Sequence, residues 1–94
     1  MHVAVLILHL QLPGCGSLKE KRSQIKPILS RLHREFNGST VEIDRHDHWQ
    51  ETILACALVG NDAAILRKTL QEVQKFAERT WPDLPLLDDK IEIW

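Results

Sequence analysis

Two hydropathy periods alternate along these 94 residues. Val3 to Leu12 is a nearly unbroken apolar run rich in β-branched residues, which predicts a strand buried on both faces. From Ser17 to about Phe36 the period becomes helical: Leu18, Ile25, Ile28, Leu29, Leu32 and Phe36 share one apolar stripe. Pro13-Gly14-Cys15-Gly16 between the two is turn chemistry. Ser17 followed by Glu20 predicts a capping box, with Glu20 reaching back to the Ser17 amide. Pro27 falls on the solvent side of this helix and predicts a mild kink, and Asn37-Gly38 predicts its end, with Gly38 as a left-handed cap.

Ser39 to His48 alternates, with Val41, Ile43 and Arg45 on one face and Glu42, Asp44, His46 and His48 on the other. That predicts a half-exposed strand closed by a hairpin at Trp49-Gln50-Glu51. Thr52 to Val59 is a second apolar strand. Asn61 or Asp62 caps a second helix running to about Thr80, with Ile65, Leu66, Leu70, Val73, Phe76 and Ala77 inward. Pro82 and Pro85 forbid its continuation, and Leu86 to Trp94 alternates again as a final strand.

The order βαββαβ, folded with right-handed crossovers, places both helices on one face of a sheet. The predicted architecture is an α+β, ferredoxin-like sandwich, one domain over residues 1–94, with an antiparallel four-stranded sheet in the order 4-1-3-2. The two runs predicted central are continuously apolar, while the two predicted edges carry charge, as edges should. One consequence concerns assembly. Val3, Val5 and Ile7 lie on one face of the first strand and Ala4, Leu6, Leu8 and Leu10 on the other. Ile53, Ala55, Ala57 and Val59 oppose Leu54, Cys56 and Leu58 in the same way. Helices cover only one of these sets, and a contiguous apolar patch is seldom left in water. A homodimer through the open sheet face is the expectation, with either set left open by periodicity.

Net charge is −1, which gives no global attraction to nucleic acid or membrane. Its distribution is uneven. From Ser17 to Phe36, Lys19, Lys21, Arg22, Lys26, Arg31 and Arg34 stand against Glu20 and Glu35 alone. By the helical period Lys19, Arg22, Lys26 and His33 share one flank, and Lys21 lies nearer the core edge with its ammonium expected to escape to water. An anion- or nucleic-acid-contacting surface made of Ser17, Lys19, Lys21, Arg22 and Lys26 follows, with the amides of residues 15–17 added at the helix start. Base stacking on the sheet is excluded as its mode, because the two central strands hold no Phe, Tyr or Trp. Contact would be backbone-directed and salt-sensitive.

Asp44, His46 and His48 alternate on one predicted face and form the alternative, a metal-binding or metal-dependent catalytic set. In-line side chains on a strand stand roughly 7 Å apart, too wide for one tetrahedral centre without help from a second strand. Asp47 and Trp49 are expected to order the hairpin instead. Cys15 and Cys56 have no redox or metal spacing; an exposed turn thiol and a core thiol are expected, in a reducing cytoplasm. Cys15 comes with no identifiable base, no cofactor is implied, and a non-enzymatic protein is the expectation.

Ser17-Leu18-Lys19-Glu20-Lys21-Arg22, with Glu42-Ile43-Asp44, Asp47, Trp49-Gln50 and Asn61-Asp62, resembles the bacterial YlxP-like family, domain of unknown function 503. The likeness spans nearly the whole chain, departing at Cys15 and at Gly60, where a Ser is common. It implies a ferredoxin-like fold in the bacterial cytoplasm, with genes near translation-initiation and ribosome-maturation factors. It implies no catalytic residues. The expected role is therefore an accessory domain of translation or ribosome assembly, meeting structured RNA or a ribosome-associated factor through its basic first helix.

Overall fold

The computed structural model describes residues 1–44 and 48–94. Its elements are β1 (His2–Gln11), α1 (Leu18–Glu35), β2 (Ser39–Asp44), β3 (Glu51–Gly60), α2 (Ala63–Thr80) and β4 (Leu86–Ile93). The sheet runs β2-β3-β1-β4 with every neighbouring pair antiparallel, which is the predicted order read from the other edge. This is the ferredoxin-like α+β sandwich.

Burial decides which apolar set meets the helices. Ala4, Leu6, Leu8 and Leu10 of β1 and Thr52, Leu54, Cys56 and Leu58 of β3 are buried. They pack with Ile25, Ile28 and Leu32 of α1 and with Leu66, Leu70, Val73, Phe76 and Ala77 of α2. Leu6, Leu8, Leu54 and Leu70 are at most 1% exposed, and burial of each contributes about 2 kcal/mol by transfer alone. The smaller set, Val3, Val5, Ile7, Ile53, Ala55, Ala57 and Val59, faces away from the helices. An edge-to-face chain joins the helices to the loop beyond them, from Phe36 to Phe76 (5.3 Å) and from Phe76 to Trp81 (5.9 Å).

Local chemistry explains the connections and corrects several expectations. Leu12-Pro13-Gly14-Cys15 is a type II turn: Pro13 presets its first corner, Gly14 takes φ +75°, and the Cys15 amide donates to the Leu12 carbonyl. The turn folds Cys15 inward beside Leu12, so its thiol is fully buried rather than exposed. Gly38 is not a left-handed cap, since among the glycines only Gly14 has positive φ. Gly is needed at 38 for space: a Cβ there would stand 2.7 Å from Leu58 Cδ2 and 2.8 Å from the Ala57 carbonyl. α1 continues through Pro27, which is exposed. In α2 the Asp62 carboxylate caps the amides of Ala64 and Ile65. Ile65 itself is 62% exposed, not inward; it lies one position, about 100°, off the stripe that Leu66, Leu70, Val73 and Ala77 form.

β2 ends at Asp44, and its register against β3 shifts between Glu42 and Asp44. The alternation expected to run to His48 therefore breaks earlier. Its sense is also set by the structure: Glu42 pairs with Leu54 on the helix side, while Val41 (with Ala55) lies on the open face and is half exposed.

Candidate anion-binding groove on the first helix

α1 starts where Ser17 Oγ accepts the Glu20 amide at 3.1 Å. The Glu20 carboxylate does reach back, but to the Gly16 amide at 2.8 Å instead of the Ser17 amide. The positive end of the helix is thus already served by a carboxylate of the chain itself. With the Cys15 amide held in the preceding turn, the amides of residues 15 and 16 and the Ser17 hydroxyl are engaged within the fold, which removes them from the predicted anion site.

The cations of the first turns then divide. Lys21 is only 1% exposed, and its Nζ lies 3.1 Å from Glu42 Oε2. The same Glu42 oxygen accepts the buried Thr52 hydroxyl at 2.6 Å. The expectation that the Lys21 ammonium escapes to water is therefore wrong: it turns inward beneath α1 and ties that helix to β2 and β3. A carboxylate on the core side of β2 makes the inward route favourable, since a buried charge without a partner is costly.

Lys19, Arg22 and Lys26 behave otherwise. All three are exposed, and with Leu18, Ser23, Ile25 and Leu29 they line a groove of about 440 Å³ that reaches Glu42. Their spacing of three and four residues sets them in a row about 10 Å long on one flank. None of the three forms an ion pair with another described residue, whereas Arg31 is paired with Glu35 at 3.1 Å and stacks over Phe76. His33 does not extend the row. Its Nδ1 is 2.8 Å from the Gly38 carbonyl, which can only accept, so the proton is on Nδ1 and the ring closes the end of α1.

Elsewhere the predicted sites are less assembled. His48 and Trp49 are exposed and line a shallow recess with Gln11, Gln50 and Glu51. The Asp44 side chain, His46 and Asp47 lie outside the described residues, and with them the metal alternative and half of the hairpin assignment. Among the described residues no cluster of His, Cys, Asp or Glu is placed to hold a metal ion. Burial pushes the Cys56 thiol above its usual range, which makes it an inert core group. The sequence reading missed one recess, of about 330 Å³, between the end of α2 and β4, where Trp81, Pro82 and Pro85 meet Leu8, Leu10 and Leu86. A Trp followed by two prolines, Trp81 with Pro82 and Pro85, was its available signal. No helix is long and apolar enough to cross a membrane among the described residues.

Residues 3–90 match the family described as protein of unknown function (DUF503). The chain is also 41% identical over 69 residues to the uncharacterized protein YlxP of Bacillus subtilis, covering 73% of this chain and 74% of that protein. The pair Lys21–Glu42 and the exposed row Lys19, Arg22 and Lys26 all fall inside the family match. With a match across nearly its whole length, this chain belongs to the YlxP-like DUF503 family, whose function is unknown.

Proposed function

We propose that this protein is a non-enzymatic binding domain that contacts the phosphate backbone of structured RNA through Lys19, Arg22 and Lys26, in the setting of translation or ribosome assembly. One observation carries the reading: three exposed cations stand in a row on one flank of α1, and no described carboxylate pairs with them. Cations that serve the fold are neutralised nearby, as Lys21 and Arg31 are. A row left open in a chain of net charge −1 suits a polyanionic partner. The apolar floor of Leu18, Ile25 and Leu29 lowers the local dielectric beside the cations, which strengthens their field. The translational setting rests on what the family resemblance implies. Lys21 has no part in the contact, because its ammonium is buried against Glu42.

Sedimentation of tagged protein with ribosomal subunits tests the reading. Co-migration at low salt that is lost at raised salt is the expected result. Failure to co-migrate at any salt overturns it.

A further inference from the structure

The sheet face opposite the helices carries an apolar centre and a polar rim. Val3, Val5 and Ile7 on β1 pair directly with Val59, Ala57 and Ala55 on β3, so six apolar side chains form two adjoining columns. Ile53 extends the β3 column, Val41 adds to it from β2, and Trp94 lies beside Val3 through a reciprocal pair of backbone hydrogen bonds. Val59 and Trp94 are each 65% exposed. Polar groups border this centre: Asp88, Lys90 and Glu92 along β4, and His9, Gln11 and Glu51 at the far strand ends. An apolar core inside a polar rim is the anatomy of a protein–protein interface.

We propose that a second copy of this chain covers this face, giving a two-fold dimer in which the sheets pack against each other and the helices lie outside. The candidate occupants differ in the chemistry they need. A membrane surface would call for cations around the patch, whereas the adjoining β4 rim carries two carboxylates and one lysine, with Lys90 already 2.6 Å from Glu92. Single-stranded RNA would call for large aromatic platforms on the central strands, and β1 and β3 hold no Phe, Tyr or Trp. A copy of the same face needs only apolar surface without a central charge, and that is what these columns offer. Four strands spaced by about 4.8 Å and some 30 Å long present on the order of 600 Å² in projection, and more when side-chain relief is counted. That approaches the roughly 800 Å² per partner of a standard interface.

The two-fold meets most of the charged rim with uncharged positions. An axis along the strands, between β1 and β3, lays each β4 over the partner's β2, so that Lys90 and Glu92 come over the uncharged Val41 and Ser39, while Asp88 comes to the register position of Asp44. Sheets packed this way lie within about 30° of each other.

Light scattering across a dilution series, with the thermal midpoint measured at each concentration, tests the proposal. The wild-type chain should have twice the 10.8 kDa mass of one copy at high concentration, with a midpoint that rises with concentration. Val59→Glu places a charge where the single copy is already open to water, so it should leave a folded chain. Ile7→Glu places one at the centre. Each should raise the dimer dissociation constant by more than about 100-fold, because an unpaired charge would be buried. A wild-type mass of one copy throughout overturns the proposal. So does a dimer whose dissociation constant is unchanged by Val59→Glu, since its interface would then lie elsewhere.

Discussion

Lys19 and Lys21 stand two residues apart on one helix and meet opposite fates. Lys21 is buried, bound at 3.1 Å to a carboxylate that also takes the Thr52 hydroxyl, while Lys19 stands in water beside Arg22 and Lys26. The difference does not arise in α1, where a turn of about 200° separates the two side chains. It arises in β2, where Glu42 presents the carboxylate on the core side that draws one cation in. A basic helix is therefore two things at once: a clamp holding α1 to the sheet, and an open row of charges, the one the proposed RNA contact uses.

Substitution separates the two roles. The largest effect is expected for Lys21→Ala, which leaves a partly buried carboxylate without its ammonium and should cost about 3 kcal/mol of stability in denaturant unfolding. A loss below about 0.5 kcal/mol would show that the clamp is not structural. Gly38→Ala, at the junction that aims α1 onto β2, should cost about 2 kcal/mol, because its Cβ overlaps Leu58 and the Ala57 carbonyl. Ser17→Ala removes the cap of the same helix and should cost about 1 kcal/mol in thermal unfolding. Since the Ser17 hydroxyl is spent on the helix, that variant should bind RNA as the wild type does. The smallest effect on stability belongs to Lys19→Ala, Arg22→Ala and Lys26→Ala, each within about 0.5 kcal/mol.

The contrast also marks what could be read from the chain. Strand order, helix limits and both N-terminal caps were legible because they depend on local periodicity and on Ser17, Asp62, Pro82 and Pro85. The row Lys19, Arg22 and Lys26 was legible for the same reason, as spacing on one helix. Lys21 was not, because its direction depends on Glu42, 21 positions away and on another element. A signal existed: an acidic residue flanked by Val41 and Ile43 on a half-buried strand asks which face is inside, and the alternation alone leaves that open. Cys15 and Gly38 escaped for a related reason. A turn residue reads as exposed and a glycine after a helix reads as a cap, unless the neighbours that fold over them are known.

The open sheet face sharpens the comparison further. Leu6→Glu or Leu8→Glu would separate copies only if the even-numbered set faced away from the helices; both residues lie in the helix-packed core, so these substitutions should prevent folding instead. Val59→Glu acts on the other face.

The central claim is that the open row contacts phosphates and the buried lysine does not. It is tested most directly by the affinity of the protein for a structured RNA, measured across a salt series, for the wild type and for a Lys19→Ala, Arg22→Ala, Lys26→Ala triple variant. Three phosphate contacts predict a slope of log affinity against log salt of about −2 to −3, and a slope near zero for the triple variant with its fold intact. An unchanged slope and affinity in that variant would contradict the account.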